Sequence, residues 1–307
     1  MIIDAHVHLV GEGWIHDDFF SNLSRLVAAS IGKQSGEAPD PAVLTTGIKE
    51  LLFDTTGDKL VRQMDEAGVD QSCIFPVDYG LLTGEPGVSI ETQNKLIADA
   101  VKRHPGRLVG FFTIDPRRPR SLELFKEAIE EWGLRGLKLH SSSGWYPYDR
   151  IAYPLYEQCL EYGLPMLIHT GSQPAPMQSR FCRPIYIGDV ASDYPDLQII
   201  MAHCGMEWWE EALMVCKIKP NCHVDFSSWQ REYVEDPLYF YNVLRKFIDT
   251  IGPWRVIFGS DNPYLNGILP LKEWVSAFVD PQVPGGNISF SREELEIVTG
   301  KSFAKLL

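Results

Sequence analysis

The stretch MIIDAHVH, residues 1–8, carries the strongest structural signal in the chain. Its isoleucines and valine favour a β-strand, in which residues two apart point to the same side. Asp4, His6 and His8 are therefore expected on one face, with the two imidazoles at the C-terminal end of the strand. Burying such a polar stripe is costly unless something ligates it. Two adjacent neutral imidazoles suit a divalent transition metal such as zinc, and two exposed histidines on an edge strand are the alternative.

Short apolar runs bounded by Gly, Pro or Asp recur along the rest of the chain, and helical patterns fill the spaces between them. The predicted strands cover residues 2–8, 69–77, 107–114, 134–141, 165–170, 197–204, 221–227 and 254–259. Strands that alternate with helices indicate a parallel sheet, and eight such repeats indicate closure into a (β/α)8, or TIM, barrel. No linker or break in composition divides the 307 residues. We therefore expect an α/β fold with a single domain, 1–307.

Residues 9–57 do not fit this repeat. The segment contains several aromatic residues and then a part rich in Gly, Pro and Thr between residues 32 and 46. A loop of this length is usually functional or mobile. It follows the first strand, so it begins at the barrel face where active sites lie. We interpret it as an inserted lid or substrate-binding cap, with an oligomer contact surface, as in a homodimer, as the alternative.

Composition excludes several classes of partner and location. The formal charge of -13 argues against nucleic acid and against anionic membrane surfaces. The six cysteines are scattered without a CxxC pair, so buried free thiols are expected. The sequence shows no secretory signal pattern at residue 1 and no apolar run long enough to span a bilayer. These features favour a cytoplasmic protein.

Histidines concentrate at the C-terminal ends of the predicted strands, which converge on one pocket in a barrel. The residues at these ends are His6, His8, Lys138, His140, His169, His203, His223 and Asp225, with Asp261 just after the last strand. Six of the eight histidines are in this set. For His169 and His203, the alternative is a core imidazole bonded to backbone. The set as a whole predicts a metal-dependent active site.

Ordered motifs give the chain a resemblance to a known family. HxH at 6–8, LIHTG at 167–171, MAHCG at 201–205 and FGSDNP at 258–263 together resemble the amidohydrolase superfamily. The segments GLPMLIHTG and, further along, PDLQIIMAHCG resemble the sequences of its amidohydrolase-related branch. That branch includes aminocarboxymuconate-semialdehyde decarboxylase, aromatic-acid decarboxylases, lactone hydrolases and hydratases. The resemblance covers essentially the whole chain.

The resemblance implies one divalent metal per chain, such as zinc, with His6, His8, His169 and Asp261 as ligands. Three imidazoles and a carboxylate leave room for a water, whose pKa the metal lowers. Asp261 doubles as general base, and His203 orients or deprotonates the water without binding the metal. These roles follow from the family pattern.

Three cationic or imidazole side chains are predicted to bind substrate: Lys138, His140 and Arg180. In binuclear relatives a lysine at the position of Lys138 is carboxylated and bridges two metals. Because the amidohydrolase-related branch generally binds one metal, we prefer Lys138 as a cation beside the substrate, and the bridge and a plain salt bridge are the alternatives. Arg180 lies in the loop after the fifth strand, where a guanidinium suits a substrate carboxylate. Solvation or a surface ion pair is its alternative. The expected substrate is a small anion.

The leading functional hypothesis is a metal-dependent hydrolase acting on a lactone or cyclic amide through a metal-activated water. The alternative is a metal-dependent non-oxidative decarboxylase of an aromatic or muconate-type acid. Some decarboxylases of the branch replace the first histidine of HxH with glutamate, whereas this chain keeps His6. A catalytically inactive binding barrel is the third hypothesis, and the full set of expected ligands argues against it.

Overall fold

The computed structural model describes residues 1–307, except for the side chain of Gln34. The strands are β1 (Ile3–His8), β2 (Gln71–Phe75), β3 (Leu108–Gly110), β4 (Phe112–Thr113), β5 (Leu137–Leu139), β6 (Met166–Ile168), β7 (Ile199–Met201), β8 (Cys222–Asp225) and β9 (Val256–Ile257). The α-helices are α1 (Asp17–Ser35), α2 (Pro41–Leu52), α3 (Asp58–Ala67), α4 (Gly80–Thr83), α5 (Ile90–Arg103), α6 (Ser121–Glu130), α7 (Tyr153–Tyr162), α8 (Ile185–Asp193), α9 (Trp209–Ile218), α10 (Gln230–Glu235), α11 (Pro237–Ile251), α12 (Leu271–Val279), α13 (Arg292–Glu296) and α14 (Ser302–Ala304).

The strands form one parallel barrel. Neighbours pair in chain order, β1 to β3 in one ladder and β4 to β9 in another. The two ladders join at Phe111, whose N–H donates to Ile74 O, so β3 and β4 are halves of one barrel strand. The barrel closes where the Ala5 N–H donates to Phe258 O at 3.1 Å. The predicted (β/α)8 barrel is therefore confirmed, and each predicted strand contains an observed one.

The first strand departs from simple alternation. Its pairing with β2 shifts register between Asp4 and Val7, as at a β-bulge. Asp4 bonds to Ser260 instead of joining the histidine rings, whereas His6 and His8 stay on one face with ring centres 5.3 Å apart. The predicted three-residue stripe is thus wrong for Asp4, because the bulge re-aims the chain after it.

Apolar residues fill the barrel below the site. Phe111, Leu167 and Ile200 belong to one buried cluster in its interior. Gly136 makes room for this packing, since a Cβ there would lie 2.5 Å from the Phe111 ring. A larger cluster packs the strands against the surrounding helices. This rigid base positions the strand ends that carry the polar residues.

The segment 9–57 is mostly helical, so the prediction of an irregular loop is wrong. Asp40 caps α2 by accepting the Ala42 N–H, and α1 ends at Gly36 with φ of 84°. The two helices pack on each other, and α1 buries Phe19. These capping signals lie in the stretch whose composition suggested a loop. Its role as a lid or cap stays a prediction.

Two predictions from composition can be compared with the structure. All six cysteines are free and buried, as expected. Among the described residues, no helix combines the length and the apolar character that crossing a bilayer requires.

Candidate metal centre

His6 is held at the centre of the site through both ring nitrogens. Its Nδ1 lies 2.9 Å from Oδ2 of Asp225, at the end of β8. The carboxylate only accepts hydrogen bonds, so Nδ1 carries the proton and Nε2 keeps its lone pair. Nε2 faces Lys138 Nζ at 3.1 Å and Asp261 Oδ1 at 3.6 Å. A carboxylate behind an imidazole in this way is typical of a metal ligand.

His203 lies in a tight turn after β7 with a left-handed backbone. Its φ is 59°, a conformation that costs free energy in a non-glycine residue. Its N–H donates to Asp225 Oδ1 at 2.9 Å, and its carbonyl accepts from Trp229 Nε1 at 2.8 Å. Its Nδ1 is 2.8 Å from Ser227 Oγ, which in turn donates to Asp225. Nδ1 is therefore the donor, and Nε2 is left to accept a proton or a metal.

Asp261 follows β9 and also has a positive φ, of 58°. Its N–H donates to the His6 carbonyl at 2.8 Å, and Oδ1 lies 3.3 Å from His8 Nε2. Its other oxygen accepts from the Ser228 hydroxyl. Burial raises the pKa of this carboxyl, but the hydrogen bond from His8 and the neighbouring imidazoles outweigh burial and hold the pKa below its usual range. The group is therefore ionised.

Three side chains converge most tightly. The ligand atoms of His6, His203 and Asp261 lie within 4.8 Å of one another, and all three residues are buried. Two imidazole lone pairs and one ionised carboxylate form a donor set that suits zinc or manganese. Burial lowers the pKa of both imidazoles, so they stay neutral and keep these lone pairs. The residues therefore fit a divalent ion.

His8 and His169, the other predicted ligands, lie one contact further out. His8 contacts Asp261, whereas His169 Nδ1 is 3.0 Å from His203 Nε2. The Gln173 amide lies 3.0 Å from His169 Nε2. All the predicted metal and catalytic residues thus meet in one buried cluster. The tight trio, however, contains His203, predicted as an acid–base residue, in place of His169, so the ligand set stays a prediction.

Lys138 is fully buried on β5. Its Nζ sits beside His6 and lies 4.9 Å from the centre of the Phe75 ring. It forms no ion pair with any side chain that the structure describes, so the plain salt bridge is not found. Burial lowers its pKa to about 8, against the opposing attraction of Asp225 and Asp261. The site therefore contains a cation whose charge is only partly balanced.

Aromatic side chains roof the cluster. Tyr79, after β2, has its ring centre 5.3 Å from that of His140, and Tyr264, after β9, lies 5.2 Å from His8. Phe19 of α1 contacts both tyrosines, at 6.0 and 5.9 Å. The ionisable residues beneath are at most 8% exposed. The 9–57 segment thus contributes directly to the enclosure of the site.

Two residues predicted at the pocket lie elsewhere. Arg180 is exposed, with its guanidinium 4.8 Å from the Phe181 ring centre, and no contact among the described residues joins it to the cluster. The sequence correctly predicted that Arg180 lies in the loop after the fifth strand, but it could not show which way the side chain points. His223 pairs with Gln198 at 2.9 Å near the start of β8. Its predicted place at the strand end is wrong because β8 continues to Asp225.

Sequence reasoning missed several supporting residues. Asp225 was placed at the pocket without a role, although it orients both His6 and His203. Ser227 was not singled out at all. The spacing of Asp225 and Ser227, two apart on an apolar strand, is the signal that could have identified them. Tyr79 and Tyr264 carry no comparable signal, because their contacts arise from loops distant in sequence.

Relatives of this chain match most or all of its length. It is 22% identical over 291 residues, 85% of this chain and 83% of the relative, to 2-keto-4-carboxy-3-hexenedioate hydratase from Sphingobium sp.. The structure of 5-carboxyvanillate decarboxylase from Novosphingobium aromaticivorans, complexed with manganese and 4-hydroxy-3-methoxy-5-nitrobenzoic acid, superposes with a TM-score of 0.67 at 17% identity, covering 100% of this chain and 95% of that one. For 4-oxalomesaconate hydratase from Rhodopseudomonas palustris the TM-score is 0.62 at 16% identity, with the same coverage, 100% and 95%.

The family model described as amidohydrolase matches residues 3–296. This range contains every barrel strand and the complete cluster of histidines and carboxylates described above. The ordered motifs had indicated the same family from the sequence. With almost the entire barrel matched, the chain belongs to the amidohydrolase family.

Proposed function

We propose that this protein is a metal-dependent lyase that removes CO2 from a small unsaturated or aromatic carboxylic acid. The observation that carries the proposal is the position of Lys138. Its buried ammonium group lies 3.1 Å from His6 Nε2, within the predicted metal site, and lacks an ion-pair partner among the described side chains. A cation at the reacting end of the pocket favours a substrate whose anionic group is itself the group that reacts.

A divalent ion would be held by His6, Asp261 and further histidines of the cluster, and when bound it supplies a Lewis acid that polarises a substrate oxygen. Lys138 balances the charge of the substrate carboxylate. Loss of CO2 breaks a carbon–carbon bond and leaves the electron pair on carbon, which then takes a proton. His203 Nε2, which carries a lone pair because burial lowers the pKa of this imidazole, would first take up a proton from water and then pass it to that carbon.

The relatives named above support a lyase, since one is named as a decarboxylase and two as hydratases, and both reactions belong to lyases. Hydrolysis of a lactone or cyclic amide is the second candidate. The arrangement that favours it is the ionised Asp261 between His6 and His8, which is suited to accept a proton from water. Both candidates require the same metal site and differ in the bond that breaks.

The test pairs a panel of aromatic and muconate-type acids with a panel of lactones, using protein loaded with manganese or with zinc. We expect CO2 release from at least one acid, with solvent deuterium appearing at the carbon that lost the carboxylate. The His6→Ala variant is the inactive control. Lactone opening without CO2 release from any acid would replace the lyase proposal with the hydrolase.

A further inference from the structure

Two buried polar atoms on the β5 side of the site have no partner among the described residues: His140 Nδ1 and Ser142 Oγ. Both residues are nearly inaccessible, with 4% and 0% of their surfaces exposed. A buried polar atom left without a hydrogen bond costs about 1–3 kcal/mol. Two such atoms, two residues apart beside an enclosed active site, indicate a place where a ligand supplies the missing bonds.

In the turn that carries Ser142, the missing hydrogen bond is confined to one of three serine side chains. In the run Ser141–Ser143, Ser141 donates to Phe181 O at 2.9 Å and Ser143 donates to Asp115 Oδ2 at 2.7 Å. The carbonyl of Ser142 also has a partner, the Gln178 N–H at 2.9 Å. Only the hydroxyl of the middle serine has no partner at normal hydrogen-bond distance, although it lies near the Tyr79 phenol and the Cys182 thiol. The loop is therefore fixed by its neighbours, and Ser142 contributes nothing to holding it through its side chain.

His140 and Ser142 both lie next to Tyr79. His140 stacks on His169 at 5.9 Å on one side and contacts Tyr79 at 5.3 Å on the other. The Ser142 side chain lies beside the Tyr79 phenol, where it opposes the rise in phenol pKa that burial causes. Lys138, by contrast, is at the base of the site next to His6. The two unused atoms thus lie on the Tyr79 side of the site, where His140 also contacts the predicted ligand His8 at 5.8 Å.

We propose that His140 and Ser142 form an oxygen-binding subsite, walled by Tyr79, that holds a second oxygen of the substrate. This inference rests on the proposed function, because it assumes that an acid occupies the Lys138 end. A neutral imidazole N–H and a hydroxyl donate to a carboxylate or carbonyl oxygen. The substrate class is therefore a planar acid with a second oxygen acceptor. Arg180, exposed on the surface, is not required for that contact.

The experiment compares binding of isophthalate, 3-formylbenzoate and benzoate to manganese-loaded protein by calorimetry. Benzoate lacks the second group, and the other two present a carboxylate or a carbonyl oxygen at the same position. We expect at least one of them to bind about tenfold more tightly than benzoate, as one hydrogen bond to a buried donor contributes. Ser142→Ala should remove most of that preference and leave benzoate affinity unchanged.

Thermal stability supplies an independent measurement. Because the Ser142 hydroxyl has no partner, Ser142→Ala should leave the melting temperature unchanged or raise it. The matched control, Ser143→Ala, loses a bond to Asp115 and should lower it. A large stability loss in Ser142→Ala would mean that the hydroxyl is structural, and would overturn the subsite.

Two binding outcomes would also overturn it: equal affinity of the wild type for the three ligands, absence of binding included, or loss of the preference in Arg180→Ala but not in Ser142→Ala. The proposed lyase activity fails separately. If no acid releases CO2 and the binding preference still depends on Ser142, the subsite stands and the reaction assignment does not.

Discussion

The barrel strands and the 9–57 segment enclose the same site but hold their side chains by different forces. On the barrel side, Asp225 bonds to the imidazole of His6 and to the backbone of His203, both at 2.9 Å. On the other side, Phe19 meets the site through ring contacts alone, with centres 5.9 and 6.0 Å from the two tyrosines.

Directional bonds and ring contacts respond differently to change. A hydrogen bond weakens steeply when its distance or angle shifts, whereas apolar contacts tolerate replacement by a group of similar volume. The barrel side is therefore suited to fix reacting atoms, and the 9–57 side is suited to shape the space above them. Substitutions in the two regions should have effects of different size and kind.

The largest effect is expected from His6→Ala, which removes the residue at the centre of the barrel side. Purified wild-type protein should contain about one equivalent of a divalent metal, and the variant should contain none and be inactive. Metal analysis of both proteins is the measurement, and it also decides between zinc and manganese. His223→Gln, a buried histidine outside the site, is the control. Two equivalents of metal with a carboxylated Lys138 would contradict the single-metal site.

His203→Asn tests whether His203 binds the metal, as its position beside His6 and Asp261 allows, or acts only as an acid–base residue, as the predicted ligand set requires. We expect the metal to be retained and turnover to fall by about 10²-fold or more, the size of a general acid–base contribution. Metal content and kcat are measured on the same preparation. Loss of the metal together with activity would make His203 a ligand, as its position among the converging atoms allows.

Asp225→Asn should weaken the metal site without removing it. The amide keeps the shape of the side chain but loses the charge that fixes the protonated Nδ1 of His6. Removing such a supporting group typically lowers metal affinity by about 10- to 100-fold. Competition with a chelator measures it, and unchanged affinity would show that the barrel side does not depend on this carboxylate.

Phe19→Leu addresses the other side of the comparison. Replacing the ring by a smaller aliphatic side chain should alter KM and the range of accepted substrates by about tenfold or less, with kcat nearly unchanged and metal content intact. Phe20→Leu, a buried neighbour that packs against Phe53, is the matched control. A collapse of kcat in Phe19→Leu would place this ring in the chemistry itself and end the distinction between the two regions.

The smallest effect is expected from Arg180→Ala. If this guanidinium binds the substrate anion, KM should rise with little change in kcat, the result of lost uniform binding. Because Arg180 is exposed, the rise should be about fivefold at most. Steady-state kinetics with an anionic and a neutral substrate measure it. An equal effect on both substrates would remove Arg180 from substrate recognition.

Much of the barrel side could be predicted from the sequence because its signals are local. Alternating apolar runs gave all eight strands, and position at a strand end brought His6, His169, His203 and Asp261 together. The exceptions come from details that periodicity does not encode. A bulge in β1 turns Asp4 away from the histidines, and β8 continues two residues past His223, so this histidine does not lie at the strand end.

The roof and the supporting bonds could not be predicted in the same way. Helix α2 is short and rich in residues of low helix propensity, so its composition suggested a loop although Asp40 and Pro41 mark a helix start. The contact of Phe19 with Tyr79 and Tyr264 joins three distant segments. The direction of Arg180 depends on the same kind of tertiary contact, with Phe181.

The enclosure of the site has a consequence for rates. Residues under the roof are at most 8% exposed, so we expect a substrate to enter only while Phe19, Tyr79 and Tyr264 are apart. Association then proceeds only through the fraction of molecules that are open, and each apparent dissociation constant exceeds the intrinsic one by the inverse of that fraction. If the product leaves by the same opening, turnover at saturation reports the opening rate when chemistry is faster. Raising the solvent viscosity slows such motions but not the breaking of a bond. In that case a more viscous solvent should lower kcat.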